Sequence, residues 1–244
     1  MDQKNSNQTC WIAHRGLCKH APENSRASFR DAENTGFNYI ETDLRVSQDG
    51  HLLLSHDPDL KRLGGPAQPV WSLKRRDLEA VELNGGESPL FFDEFVALTR
   101  RMNWVFDIKK ETGLKTLQAL KAWIDQNQSA DLIQRSRFLF WNHAQRSWWL
   151  RSFPEARIFA SERECWRAGL ASLTPFSWLG GMIPSWGYAV PPSLLGKPLF
   201  RKQIFKKYQD RKACVIAYLP RSVDEAQSAL NAGADFILTD HERI

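Results

Sequence analysis

Four short clusters of titratable residues carry the chemistry that this sequence could do: His14-Arg15-Gly16, Glu41-Thr42-Asp43, Ser55-His56-Asp57 and Asp107-Ile108-Lys109. Glu41, Asp43 and Asp107 are carboxylates. Three anions brought to one place repel one another and raise each other's pKa values unless something compensates them. A divalent cation is one compensation, and an oxygen-only donor set suits Mg²⁺ or Ca²⁺ better than zinc. Ion pairing with Arg15, Arg45 and Lys109 is the other. His14 and His56 can exchange protons near neutral pH, which makes them candidates for a general acid–base pair. Arg15 and Lys109 are fixed positive charges. Arginine binds phosphate bidentately, and lysine acts as a point charge. Carboxylates holding a cation, basic side chains around them and two histidines suit cleavage of a phosphate ester. No G-x-S-x-G elbow, Walker A loop or H-E-x-x-H is present, which argues against serine hydrolase, nucleotide-loop ATPase and zinc protease chemistry.

Each cluster falls at the carboxyl end of a short apolar run. Such runs predict strands over 11–14, 39–44, 51–56, 104–108, 137–141, 157–160, 179–183, 214–218 and 235–238. Helical stretches lie between them, over 25–34, 114–126, 144–152, 162–168 and 223–231, with Gly36, Gly169 and Gly233 as stops. Asp49-Gly50 between two apolar runs reads as a two-residue hairpin, which folds 51–56 back antiparallel. The other eight runs are then parallel, and the fold class is α/β: a (β/α)₈ TIM barrel with an antiparallel hairpin arm and a small insertion after it. A doubly wound sheet is the alternative, but no glycine-rich phosphate loop follows the first strand. A two-residue turn pairs Gln48 with His51 and Asp43 with His56. That register predicts convergence of Glu41, Asp43 and His56 on one face.

The composition narrows the setting. The chain has 244 residues, 42% hydrophobic and 25% charged, with net charge +5. It is read as one domain over 1–244, with 58–101 supplying the insertion and the helix that follows. No apolar stretch is long enough to span a membrane. The polar start, 1–9, lacks the apolar region of a secretory leader. Cys10, Cys18, Cys165 and Cys214 are scattered without metal-type spacing and read as reduced thiols of a cytoplasmic protein. A pI near 9.1 points mildly to an anionic partner. No nucleic-acid-binding motif appears, so nucleic acid is not expected. The basic run 201–212 reads as a solvated helix face. Ten tryptophans read as core or pocket wall, with a peripheral lipid-facing patch as the other reading.

The blocks His14-Arg15-Gly16 with Ala21-Pro22-Glu23-Asn24-Ser25, Ile40-Glu41-Thr42-Asp43, Asp49-Gly50, His56-Asp57, Asp107-Ile108-Lys109 and Gly233 to Asp240 resemble, in order, those of the glycerophosphodiester phosphodiesterase family. The segment 88–95 resembles the one that introduces the family's next helix. The resemblance implies a (β/α)₈ hydrolase that uses a divalent cation to cleave glycerophosphodiesters into sn-glycerol 3-phosphate and an alcohol, within lipid and glycerol metabolism. By resemblance Glu41, Asp43 and Asp107 are the metal ligands, and His14 and His56 the acid–base pair. Arg15 and Lys109 would hold the phosphate, and Trp141 and Tyr218 would line the substrate side. Three departures stand out: Asp107 where the family usually has Glu, Tyr218-Leu219-Pro220-Arg221 for W-T-V-N, and Trp141-Asn142 for S-F. The altered wall keeps two further readings open, a lysophospholipase D-like hydrolase and a barrel that binds a phosphorylated ligand without turnover. The residues leave oligomeric state open.

Overall fold

A computed structural model of the chain describes residues 9–243. Residues 1–8, on which most of the reading of a leader-free start falls, lie outside the described residues. The chain forms two compact units, Ala13–Arg157, and Met1–Ile12 with Ile158–Ile244. Strand β1 (Cys10–His14) begins in one and ends in the other.

The first unit runs α1 (Arg26–Asn34), β2 (Tyr39–Val46), β3 (Leu52–Leu54), α2 (Arg75–Glu79), α3 (Phe92–Leu98), β4 (Asn103–Ile108), α4 (Gly113–Asn127), α5 (Asp131–Arg135), β5 (Ser136–Phe140) and α6 (His143–Ser152), ending at β6 (Arg157–Ile158). Helix α1 starts at Ser25, whose side chain accepts from the Ser28 backbone while Ser28 reciprocates, and it ends at Thr35-Gly36. β2, β4 and β5 are parallel neighbours, with Asp43 opposite Asp107 and Phe106 opposite Phe138. An aromatic seam of Phe92, Phe95, Trp104, Phe106, Phe138 and Trp149 packs beside them. Every residue of β2 after Tyr39 is buried, including Glu41, Thr42, Asp43 and Arg45. A strand this polar can be buried only where its charges find partners.

The hairpin register differs from the predicted one by one residue. Val46 opposes Leu52 and Leu44 opposes Leu54, so Ser47 faces His51, and Asp43 faces Ser55 rather than His56. The loop has three residues, Gln48-Asp49-Gly50. Gly50 adopts φ +88°, the left-handed position that ends such a loop, and its N–H donates to Ser47 O. Residues 58–101 hold two 3₁₀ turns, α2 and α3. They build a small core of Leu60, Val70, Leu78 and Phe91 on Leu53.

The second unit runs α7 (Glu162–Ser172), β7 (Gly187–Val190), β8 (Ser193–Leu194), β9 (Lys197–Pro198), α8 (Lys202–Gln209), β10 (Cys214–Tyr218), α9 (Val223–Ala232) and β11 (Phe236–Thr239). β11, β10 and β7 are parallel neighbours, while β8 and β9 form a separate antiparallel pair. Two expectations are corrected here. Helix α7 continues through Gly169 to Ser172; Gly169 stays inside it and packs against Leu194. The strand expected over 179–183 is a 3₁₀ turn at Ser177–Gly180, and the strand comes later, at Gly187. Gly180-Gly181, with Gly181 at φ +58°, breaks the extended run. Gly187 is required where β7 starts, because a β-carbon there would meet the Phe159 ring at 2.5 Å.

Cys10, Cys18, Cys165 and Cys214 form no disulfide with one another. Among the described residues no helix is long and apolar enough to cross a membrane.

Candidate active site

The end of β1 turns sharply after His14. Arg15 adopts φ +55° and Gly16 φ +85°, and a β-carbon on Gly16 would lie 2.4 Å from Ser28 Oγ. The glycine of the His-Arg-Gly block is therefore a backbone requirement. The turn aims the Arg15 N–H at Glu41, donating to its carbonyl O at 3.0 Å and its Oε2 at 3.1 Å. His14 Nε2 lies 3.8 Å from the same Oε2.

Strand register gathers the carboxylates. Glu41 and Asp43 share a face of β2 by alternation, and Asp107 sits opposite Asp43 on β4. Oxygens of all three lie within 4.8 Å of one another, and all three residues are buried. Lys109 Nζ bridges two of them, at 2.7 Å from Asp43 Oδ1 and 2.6 Å from Asp107 Oδ2. Arg15 Nε is 3.3 Å from Asp43 Oδ2, and the Asn24 amide donates to that oxygen at 2.9 Å.

These partners set the protonation. Burial pushes the Asp43 carboxyl up, but Lys109, Arg15 and the Asn24 amide outweigh it and hold it below the usual range. Among the described residues Glu41 has no such cation pair. Burial, reinforced by the Asp43 charge and opposed by His14, pushes it up to about 8. Asp107 is also raised, chiefly by burial. Burial lowers Lys109, yet Asp43 and Asp107 raise it further, so it stays an ammonium. Both ways of compensating the carboxylates thus meet in one place. Lys109 and Arg15 pair with Asp43, and Lys109 also reaches Asp107, while Glu41 is left as a carboxyl that could help hold a divalent cation. Glu41, Asp43 and Asp107 form an oxygen-only donor set that could hold a metal ion. Arg45, the third cation considered, turns elsewhere: it donates to Ser55 O, His56 O and Glu111.

His56 does not oppose Asp43, as the shifted register dictates. Its Nδ1 lies 2.8 Å from Asp57 Oδ1. Asp57 Oδ2 accepts from Arg62 Nε at 2.6 Å, Arg62 donates to Glu23 at 2.6 Å, and Glu23 accepts from Arg15 at 3.0 Å. A chain of charges therefore links His56 to Arg15 through Arg62 of the insertion. Arg45 fixes the His56 backbone from below, donating to its carbonyl at 2.7 Å.

Trp141 follows β5. Its Nε1–H donates to Asp107 Oδ1 at 2.6 Å, and its ring centroid is 5.7 Å from Lys109 Nζ. The indole is 48% exposed, so it forms a rim rather than core. Buried Gln145 accepts the Trp141 N–H and donates to Lys109 O. Tyr218 ends β10 in the second unit with an exposed ring.

Glu23 and Asn24 stand in the resembling block without an assigned role, and Arg62 and Gln145 were missed. Asn24 had a signal: an Asn beside a helix start is a common non-glycine occupant of positive φ, here +55°. Arg62 and Gln145 had none, because only the fold brings them in.

Residues 14–153 match the model of the glycerophosphoryl diester phosphodiesterase family. A probable glycerophosphodiester phosphodiesterase of Mycobacterium tuberculosis is 32% identical over 105 residues, 43% of this chain and 40% of that protein. The chain thus spans well under two thirds of that relative. The glycerophosphoryl diester phosphodiesterase domain of another M. tuberculosis protein superposes with TM-score 0.82 over 97% of both chains at 15% identity. An Oleispira antarctica phosphodiesterase, solved with the product sn-glycerol-3-phosphate, superposes with TM-score 0.75 over 96% of this chain and 93% of that one at 21% identity. At such identities the likeness speaks to the fold alone, and the fold is the (β/α)₈ barrel expected from the sequence.

Proposed function

The chain belongs to the glycerophosphoryl diester phosphodiesterase family, and on that premise we propose that it hydrolyses glycerophosphodiesters to sn-glycerol 3-phosphate and an alcohol. The observation that carries this reading is the buried cluster of Glu41, Asp43 and Asp107 bridged by Lys109, with His14 beside it.

In this reading Glu41, Asp43 and Asp107 hold one divalent cation, Mg²⁺ or Ca²⁺. When bound, it supplies Lewis-acid stabilisation of the phosphoryl oxygens. Arg15 and Lys109 present positive charge to the phosphate and favour the charge that develops as its ester bond breaks. Lys109 spends two of its three N–H bonds on Asp43 and Asp107, so the carboxylates aim it. Asp57 fixes the tautomer and orientation of His56, the role that a carboxylate plays behind a catalytic imidazole. One of His14 and His56 takes a proton from the attacking oxygen, and the other gives one to the leaving alkoxide. The P–O bond to the alcohol breaks as the new P–O bond forms, with one water consumed overall. Trp141 contributes to the substrate side. The whole of 1–244 works as one catalytic domain, and cysteines outside any disulfide suit the cytoplasm.

The test is direct. Chelator-stripped protein is incubated with glycerophosphocholine, glycerophosphoethanolamine or lysophosphatidylcholine, and Mg²⁺, Ca²⁺ or Mn²⁺ is returned separately. Cation-restored release of glycerol 3-phosphate from a glycerophosphodiester supports the reading. Turnover of the lysolipid alone replaces it with the lysophospholipase D-like one. Binding of a diester without product at high protein concentration replaces it with a non-catalytic barrel.

A further inference from the structure

The shifted hairpin register puts Ser55, not His56, opposite Asp43. Strand pairing therefore does not set the histidine against the carboxylates. Another side chain ties it to their strand: Arg45, two residues beyond Asp43 on the same face of β2. Arg45 is only 2% exposed, and its planar fork reaches three other segments. Nε–H donates to Ser55 O at 3.1 Å and Nη2–H to His56 O at 2.7 Å. Nη1–H donates to Glu111 Oε2 at 2.9 Å, in the loop after β4. The guanidinium carbon lies 5.8 Å from the centroid of the Trp71 ring, which packs on the small core of the insertion.

The loop that carries His56 is closed around these bonds. Ser55 N–H donates to Asp43 O at 3.1 Å, and Ser55 Oγ donates to Asp57 O at 2.9 Å. The three carbonyls from 55 to 57 are thus all taken, two by Arg45 and one by Ser55. Arginine suits this position for a geometric reason. Its donors leave a rigid plane in several directions, whereas lysine brings one nitrogen on a flexible stem. Packing alone does not call for it, because a buried ion pair can often be replaced by an apolar side chain of similar volume at no loss of stability.

We infer that Arg45 is a positioning residue. It fixes the backbone of His56, and with it the imidazole, relative to Glu41 and Asp43 on its own strand. Being buried, it does so without touching substrate. The half-exposed Arg62 reaches the same histidine from the solvent side through Asp57, so the two arginines hold opposite sides of one loop: Arg45 its main chain, Arg62 the carboxylate behind its ring. The kinetic side of this inference rests on the proposed function, and the geometric side does not.

The experiment compares the full chain with Arg45→Lys and Arg45→Met. Exchange of the Ser55 amide is followed by NMR, and turnover of glycerophosphocholine is measured in parallel. In the parent the Ser55 amide should exchange as slowly as the amides of β4. In Arg45→Met it should exchange on the order of tenfold faster or more, with the amides of β4 and β5 changing far less. There kcat should fall by on the order of tenfold to a hundredfold with KM within about twofold of the parent, the pattern of a displaced group that does not bind substrate. Arg45→Lys should fall between the two. Exchange that rises equally across β2, β4 and β5 would overturn the inference, since Arg45 would then act on global stability alone. So would a protected Ser55 amide in Arg45→Met, or parental kcat in a variant whose Ser55 amide is released. A Ser55 amide that exchanges freely in the parent overturns it with no variant needed. A parent that turns over no glycerophosphodiester removes the proposed function, and the exchange of the Ser55 amide then decides the positioning of His56 by itself.

Discussion

Trp141→Phe exchanges the indole for a smaller phenyl ring and removes its N–H donor. The variant keeps an aromatic rim but loses the indole N–H that donates to Asp107 Oδ1 at 2.6 Å. A hydrogen bond to a charged group is worth roughly 1.5–3 kcal/mol. Trp141 is half exposed, so water replaces part of the loss and the lower end, ~1.5 kcal/mol, is the working figure. That corresponds to about tenfold in an equilibrium constant. The direction follows from Asp107. Burial already raises its pKa, with Lys109 and then the Trp141 bond acting against the rise. Without Trp141 the carboxyl holds its proton more tightly, and a cation must displace that proton to bind. Cation affinity should therefore fall about tenfold, and the deficit should widen as pH falls. Isothermal titration calorimetry with Mn²⁺, Mg²⁺ and Ca²⁺ at two pH values reads this without any turnover. Circular dichroism should match the parent. Affinity within about twofold of the parent at both pH values would refute the claim that Trp141 positions Asp107.

Other consequences follow from single contacts. Arg62→Ala cuts the link between His56-Asp57 and Glu23-Arg15. Its side chain is half exposed, so the unfolding midpoint should hold while kcat falls several-fold and the pH profile of turnover shifts; an unchanged profile removes Arg62 from the positioning of His56. Gly16→Ala places a β-carbon 2.4 Å from Ser28 Oγ at φ +85° and should destabilise by about 1–3 kcal/mol or more, read by urea unfolding. Glu41 gives a pH dependence of stability. Its folded pKa of about 8 lies above the unfolded value of 4.5, so cation-free protein is favoured while Glu41 is protonated and loses that contribution as pH rises from about 4.5 to about 8. A divalent cation should therefore raise the unfolding midpoint more at pH near 8 than near 6, and an equal or reversed shift would contradict the assignment of Glu41 as a ligand.

The strand-end clusters were legible because acids, histidines and cations at the carboxyl ends of apolar runs have little reason to be there unless a site needs them. Glu41, Asp43, Asp107, Lys109, His14 and Arg15 do come together. His56 was misplaced by a single residue of register. Asp49-Gly50 suits both a two-residue and a three-residue loop, and only the left-handed Gly50 closing on Ser47 distinguishes them. Leu179 to Ile183 was read as a strand because short apolar runs usually are; Gly180-Gly181 breaks it, and a 3₁₀ turn stands there instead. Arg62 and Gln145 act across long sequence separations, which no local pattern encodes.

In the proposed function Glu41, Asp43 and Asp107 together hold one divalent cation on which glycerophosphodiester hydrolysis depends. It is tested most directly by measuring bound cation per chain alongside glycerol 3-phosphate release, in the parent protein and in Asp43→Asn. The parent chain should hold one cation, lose turnover when it is stripped and regain it when it is returned, and the variant should lose both cation and turnover. A parent protein that hydrolyses glycerophosphocholine at full rate after exhaustive chelation, or an Asp43→Asn variant that keeps its cation and its rate, would contradict it.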